Sequence, residues 1–240
     1  MKIVIEAKDV TVSYRHYESA TRSIKLNLLM NHKSQKQERF AIQDLSIQIS
    51  SGEIIGVIGN NGAGKSTLAK LVVGSVKPLT GWIRTEGVVT AMIELGAGIN
   101  MDMTPRENVK LHSAIYGSPL SKSDERAQRI CEWAGLLEYI DQPIRTFSSG
   151  MTARFAFSLN TDLNPDILIL DEVLSVGDRE FQEKSLERTK YLMQGGTSVL
   201  FVSHDMNSVR NFCSKVIWME SGHVKMIGEA NEVVDRYVSS

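Results

Sequence analysis

A chain of 240 residues with 42% hydrophobic and 23% charged side chains has the composition of a soluble globular protein and can bury a core within one domain, with room for two lobes. A formal net charge of −1 creates no global field favouring nucleic acid. Cys131 and Cys213 lie far apart without metal-ligand spacing, no apolar run approaches a membrane span, and Met1–Glu6 is too short and too charged for a signal peptide. The expectation is a cytoplasmic chain in a reducing compartment that reaches a membrane only through a partner.

No internal repeat or low-complexity tract interrupts the chain. Residues 18–39 separate the first strands and carry Arg22, Lys25, Lys33, Lys36 and Arg39 against Glu18 and Glu38. Ala20, Ile24 and Leu28 recur at helical spacing, so a short amphipathic docking helix and a solvated loop are both open. From Ala41 to Ile49, Leu45, Ile47 and Ile49 alternate with Ser46 and Gln48, the pattern of a half-buried strand. Ser51-Gly52 then turns into a buried strand over Glu53–Ile58.

That strand feeds Gly59-Asn60-Asn61-Gly62-Ala63-Gly64-Lys65-Ser66, a complete G-x-x-x-x-G-K-[ST] phosphate loop, and Thr67–Val73 suits a helix stopped by Gly74. Glycines admit backbone angles closed to other residues and let main-chain N–H groups approach phosphate oxygens. The helix N-terminus adds its dipole. Lys65 is expected to reach the β- and γ-phosphates, and the Ser66 hydroxyl to bind Mg²⁺.

A turn is expected over Pro78–Gly81, with strands over Trp82–Thr85 and Val88–Ile93. After about residue 95 the pattern becomes helical. Thr104-Pro105-Arg106-Glu107 is a capping box whose helix runs to Gly117. A second helix opens at Ser121–Asp124 and ends near Gly135; a third runs from near Ser148 to before Pro165. The strand Asp166–Asp171, a helix over Phe181–Gln194, a buried strand over Thr197–Ser203, a hairpin of Ser214–Met219 with His223–Ile227, and a last helix from about Asn231 follow. This alternation implies a mostly parallel α/β sheet with an inserted helical lobe.

Asp171 and Glu172 sit together where a parallel strand ends, the edge at which such sheets bind ligands. There Asp171 is placed to hold Mg²⁺ and Glu172 to polarise an attacking water. His204 follows the next buried strand in sequence, where it could sense a γ-phosphate. Ser148, Ser149 and Gly150 head a helix and form an N-cap and an anion site.

These motifs, in this order, resemble the nucleotide-binding domains of ABC transporters over essentially the full chain. In that resemblance Gly59–Thr67 is Walker A, Phe147-Ser148-Ser149-Gly150-Met151 the signature, Ile167–Asp171 Walker B with catalytic Glu172, Ser175-Val176-Gly177-Asp178 the D-loop and His204 the switch histidine. It implies a P-loop NTPase core of RecA-like mixed sheet at about residues 1–95 and 163–240, with a helical subdomain at about 96–162. It implies ATP and Mg²⁺, with Asn60, Asn61, Gly62, Ala63, Gly64, Lys65, Ser66, Thr67 and Asp178 at the nucleotide, and Tyr14, or Tyr17, stacking on adenine. Where most of the family places a glutamine touching the metal, none stands; Glu94 is the nearest candidate.

The motifs at Glu94–Gly98, Arg106–Val109, Thr146–Met151 and Asp171–Asp178 are similar to those of the polysaccharide exporter subgroup, which moves O-antigen or teichoic acid on lipid carriers. The signature reads Ser-Ser-Gly-Met, as in that subgroup, where Ser-Gly-Gly-Gln is general. The resemblance implies a homodimer of ATPase subunits, peripheral on the cytoplasmic face of the inner membrane. An integral membrane permease would handle the polysaccharide. ATP would lie between two chains, Lys65, Ser66, Asp171, Glu172 and His204 from one and Ser148, Ser149 and Gly150 from the other. Some such subunits continue into a carbohydrate-binding domain, and the expectation from these 240 residues is that this chain does not. A soluble ABC ATPase without a transport role and a non-catalytic, nucleotide-gated scaffold are the rivals, and teichoic acid is the alternative cargo.

Overall fold

The computed structural model describes residues 2–16, 37–92, 98–163, 165–171 and 179–240. The readings made for Tyr17 and residues 18–36, for Glu94, and for Glu172 and Asp178 lie outside the described residues.

Strands β1 (Ile3–His16), β2 (Gln37–Ser50), β3 (Ile54–Ile58), β4 (Thr80–Thr85), β5 (Val89–Met92), β6 (Ile167–Asp171), β7 (Ser198–Val202), β8 (Lys215–Glu220) and β9 (His223–Glu229) form two sheets. A three-stranded antiparallel sheet runs in the order β2-β1-β4, and a six-stranded sheet in the order β5-β6-β7-β3-β8-β9. In the larger sheet β5 through β8 are parallel and only β9 is antiparallel. Its inner strands are apolar between their end residues, as burial on both faces demands. Ile55, Val57, Ile169, Leu200 and Val202 pack with Val10, Ile42, Leu45 and Ile47 of the ribbon and Leu68 and Leu71 of the helix after β3.

The β1–β2 ribbon departs from strict alternation. From Ile5 its buried positions run Ile5, Ala7, then Val10, Val12 on one strand and Ile42, then Leu45, Ile47, Ile49 on the other, with Val4 also buried at the start of β1. Each three-residue step contains an aspartate at positive φ, Asp9 at 52° and Asp44 at 50°, a conformation that aspartate tolerates better than most residues. The Ser46 hydroxyl accepts from the Asp9 N–H at 3.0 Å and donates to its carboxylate at 3.1 Å. These bulges put Tyr14 directly opposite Arg39 at the far end of the ribbon. The turn expected over Pro78–Gly81 is shorter: β4 already begins at Thr80 and pairs there with Thr11 of β1.

The helices are α1 (Lys65–Val73), α2 (Pro105–Ile115), α3 (Ser123–Ala134), α4 (Ser149–Thr161), α5 (Arg179–Gln194), α6 (Met206–Phe212) and α7 (Ala230–Val238). Helices α2 to α4 enclose an apolar core of their own, including Val109, Ile130, Ile144, Phe155 and Leu159. Thr104 and Glu107 form the expected capping box: the Glu107 N–H donates to Thr104 Oγ1 at 3.2 Å and the Thr104 N–H to Glu107 Oε2 at 2.9 Å. Trp133 of α3 stacks on Phe157 of α4 and meets Phe181 of α5 edge-on, joining these helices to the sheet's own layer. Helix α6 was not anticipated in the sequence. Asp205 caps it, accepting from the N–H groups of Asn207 and Ser208 at 3.0 and 3.3 Å.

A polar network lies buried between α2, α3 and α4. Arg126 Nε donates to Asp162 at 2.7 Å, its Nη1 to Ser113 Oγ at 2.8 Å, and its Nη2 faces His112 Nδ1 at 3.3 Å. Burial, and secondarily the Arg126 charge, pull the His112 imidazole down to about 4. The unfolded chain then takes up a proton near pH 6.5 that the folded chain refuses until about 4, so stability falls as pH drops through that window. Urea denaturation of wild type and His112→Asn should show it: wild type should lose up to about 3 kcal/mol more between pH 7 and pH 4. Parallel pH profiles would refute the assignment.

Candidate active site

Strand β3 delivers the phosphate loop into a gap between two other elements. At Gly59, φ 145°, a Cβ would overlap the carbonyl oxygen of Met219 on β8. At Gly64, φ 107°, a Cβ would lie 2.5 Å from the carbonyl oxygen of Ala41 on β2. Only glycine fits such close backbone approaches. The β8–β9 turn bolts the loop down: the Gly222 N–H donates to the Ala63 carbonyl at 3.1 Å, and the Gln43 N–H to the Gly222 carbonyl at 2.9 Å. Within the loop, the Ala63 N–H closes a turn onto the Asn60 carbonyl at 3.1 Å. Tyr237 of α7 holds Asn60 from behind, donating its hydroxyl hydrogen to Oδ1 at 3.2 Å.

Lys65 opens α1 and is 7% exposed. Its Nζ donates to the carbonyls of Gly59 and Asn60, at 2.7 and 3.1 Å, so the ammonium is held over the loop. No side chain caps α1 and its first turn carries no acid, which leaves the positive end of the helix dipole facing the loop.

The loop forms one wall of a cleft of about 520 Å³. Asn61, Gly62, Gly64, Lys65, Ser66 and Thr67 line it, together with Tyr14, Arg39, Phe40, Ala41 and His204. The Tyr14 hydroxyl lies 3.5 Å from Thr67 Oγ1, so the aromatic ring stands at the end of the cleft beyond the start of α1. Ladder register explains why His204 is there: Val57 of β3 lies opposite Val202 of β7, and Val202 opposite Asp171 of β6. The phosphate loop, Asp171 and the segment carrying His204 therefore leave one edge of three adjacent parallel strands. Asp205 anchors that segment. Its N–H donates to Ser203 Oγ at 3.0 Å and its carboxylate accepts from Ser208 Oγ at 2.6 Å, which with the α6 N–H groups holds the carboxyl below its usual range.

The residue types suit Mg²⁺ beside a phosphate: Ser66 lines the cleft, and Asp171 ends β6, separated from β3 by β7 alone. Among the described residues no three His, Cys, Asp or Glu side chains cluster as a self-sufficient metal site. Ser148 caps α4 by accepting from the Met151 N–H at 3.2 Å, and Ser148 and Ser149 are exposed. Neither they nor Gly150 lines this chain's own cleft.

Sequence reasoning placed no ligand at Arg39, Phe40 or Ala41. Arg39 read as the last cation of a basic segment; its pairing with Tyr14 in a ribbon is what turns it toward the cleft. Cys131 and Cys213 are buried thiols whose pKa burial pushes up to about 12, and neither lies at the cleft.

A phosphate loop, a strand that ends in aspartate and a histidine just beyond the next strand, all at one edge of a parallel sheet, define a P-loop nucleotide-binding protein. Residues 42–175, more than half of the chain, match the ABC transporter family. The chain is 40% identical over 242 residues to the O-antigen export system ATP-binding protein RfbB of Klebsiella pneumoniae, covering 99% of this chain and 98% of that protein. It is 37% identical over 237 residues to the teichoic acids export ATP-binding protein TagH of Staphylococcus haemolyticus, covering 99% and 89%. An ATP-binding subunit of an ABC transporter superposes with a TM-score of 0.78 at 21% identity, covering 98% of this chain and 93% of that one. The ATP-binding cassette MJ0796, solved as a dimer in a post-hydrolysis state with ADP and Pi, gives 0.75 at 21% identity, covering 94% and 98%. The chain belongs to the ABC transporter family, as an ATPase of the ATP-binding cassette type.

Saturating ATP should raise the melting temperature of the wild type, since about 2.7 kcal/mol of stabilisation accompanies a ligand at 100 times its Kd. Gly64→Ala, forced against the Ala41 carbonyl, should lose that rise. Gly74→Ala, at a comparable φ of 82° but with nothing within 4 Å, should keep it. An undiminished ATP shift in Gly64→Ala would contradict the packing of the loop.

Proposed function

We propose that this chain hydrolyses ATP between two copies of itself and so drives a separate membrane permease that exports a lipid-linked cell-surface polysaccharide of the O-antigen type. The observation that carries this is end-to-end similarity, 40% over 99% of the chain, to an O-antigen export subunit. Similarity of 37% to a teichoic acid export subunit supports teichoic acid as the second reading. Among the described residues no helix is long and apolar enough to cross a membrane, which fits a peripheral subunit on the cytoplasmic face of the inner membrane.

In this reading the chain divides into a core at about residues 1–95 and 163–240 and a helical subdomain at about 96–162. Tyr14 stacks on adenine, and residues 60–67 wrap the phosphates. Lys65 bridges the β- and γ-phosphates, giving up its carbonyl partners at Gly59 and Asn60 to do so. Ser66 and Asp171 would hold Mg²⁺, with Glu94 a further candidate, and the ion would neutralise charge on the phosphate oxygens. Glu172 polarises the attacking water and His204 holds the γ-phosphate. Asp178 and the partner copy's Ser148–Gly150 segment close the site, the latter supplying hydroxyls and helix N-terminal N–H groups to the charge developing on the γ-phosphate. The exposed position of that segment outside its own chain's cleft supports supply in trans.

The permease would bind the groove of about 650 Å³ where the sheet side meets α2 and α4, lined by Val73, Val76, Val89, Ala91, Ile115 and Tyr116 among others. Ile115 there is 66% exposed, an apolar side chain suited to a partner. Motion of the helical unit against the core would then reach the membrane through this groove.

Depleting the protein in its host should strand lipid-linked polysaccharide on the cytoplasmic side while leaving its synthesis intact; normal surface polymer after depletion would sink the transport reading. In purified protein, Glu172→Gln should retain ATP binding and slow steady-state phosphate release by about 10²–10⁴-fold, the usual contribution of a general base. A variant that turns over at the wild-type rate removes Glu172 from the chemistry.

A further inference from the structure

We propose that Arg39 is a nucleotide-binding residue, a second cation that grips the phosphate chain of ATP from the ribbon side of the cleft while Lys65 holds it from the loop side. The inference rests on the reading of the cleft as the ATP site.

Three observations carry it. First, Arg39 lines the cleft beside Phe40 and Ala41 of the same strand, together with the phosphate loop. Its Nη2 lies 3.5 Å from where a Cβ on Gly62 would stand, so the guanidinium rests against the loop's backbone. Second, β-ladder register fixes that position: Arg39 is the cross-strand partner of Tyr14. The cation is therefore carried by the same ribbon end as the ring that stands beyond Thr67. Third, among the described residues no carboxylate pairs with Arg39, whereas Arg106, Arg126, Arg129, Arg145, Arg179 and Arg210 each have an acidic partner.

Two cations on the walls of one cleft repel each other until an anion enters. A triphosphate brings several negative charges into a space that holds Lys65, the α1 N-terminus and Arg39. The guanidinium is the better partner for such a ligand, because its planar fork meets two phosphate oxygens at once. Met219 and Ala41 fix the loop, so Arg39 needs only a side-chain rotation to follow the phosphates in. The role differs from that of Tyr14, which meets the base; Arg39 should be blind to the base and sensitive to phosphate number.

The test is equilibrium binding of ATP, ADP and adenosine to the full-length wild type, Arg39→Gln and Arg39→Lys, at low and high salt. Arg39→Gln should weaken ATP about tenfold, as loss of one charge-assisted contact does. It should weaken ADP less and leave adenosine unchanged, and its ATP affinity should depend less on salt. Arg39→Lys should recover part of the loss, and all three proteins should melt together without nucleotide. Equal ATP affinity in wild type and Arg39→Gln would overturn the proposal. So would an equal loss for ATP and adenosine, which would put the guanidinium at the base. Failure of the wild type itself to bind ATP would instead overturn the reading of the cleft, and Arg39's role with it.

Discussion

Everything at this site hangs on two backbone approaches. The phosphate loop passes close to the Met219 carbonyl at Gly59 and the Ala41 carbonyl at Gly64, and only positions without a Cβ permit it. Those two carbonyls belong to different sheets, β8 of the large sheet and β2 of the ribbon. The loop is therefore the point where the antiparallel ribbon, which carries Tyr14 and Arg39, is registered against the parallel sheet, which carries Asp171 and His204. Gly222, bonded to Ala63 and Gln43, joins the same three elements a second time. A rigid loop matters because preorganised N–H groups and Lys65 need no rearrangement of the main chain when charge moves onto a phosphate.

The parallel ladder supplies the other half of the geometry. Strands β6, β7 and β3 run the same way in fixed register, so their carboxyl ends bring Asp171, the segment carrying His204 and the phosphate loop to one edge without any of those residues choosing its neighbours. The elements that hold the ends in place are small and local: Asp205 capping α6 behind His204, and Tyr237 bonded to Asn60 behind the loop. The helical unit contributes its own cap, Ser148, yet turns it away from this cleft. In the proposed reading Ser148 belongs to a second half-site, which a two-fold partner would bring to the cleft.

Most of this was legible because the residues involved are constrained locally. Loop, strand and helix around Gly59–Val73 follow from glycine placement and apolar runs, and Thr104 with Glu107 announces α2 as written. The gaps have physical reasons. The aspartate bulges at Asp9 and Asp44 break the period-two pattern, so the ribbon's full extent and the Tyr14–Arg39 pairing are decided by tertiary contacts. Arg39 looked like part of a solvated basic run because charge alone carries no direction. Helix α6 is only seven residues long, and its signal, Asp205 ahead of Met206 and Val209, is easily taken for the tail of a strand. The Gly81 turn was misplaced because β4 starts inside it: Thr80 pairs with Thr11 before the glycine.

The central claim is that each ATP is cleaved between one chain's phosphate loop and another chain's Ser148–Gly150 segment. It is tested most directly by mixing two inactive proteins, Lys65→Ala and Ser149→Arg, and measuring phosphate release. Exchange of subunits would build mixed dimers holding one site with both halves intact, and the mixture should regain about a quarter of wild-type activity if sites act independently and partners pair at random. A mixture that stays as inactive as its components, while each protein still dimerises with the wild type, would contradict the account.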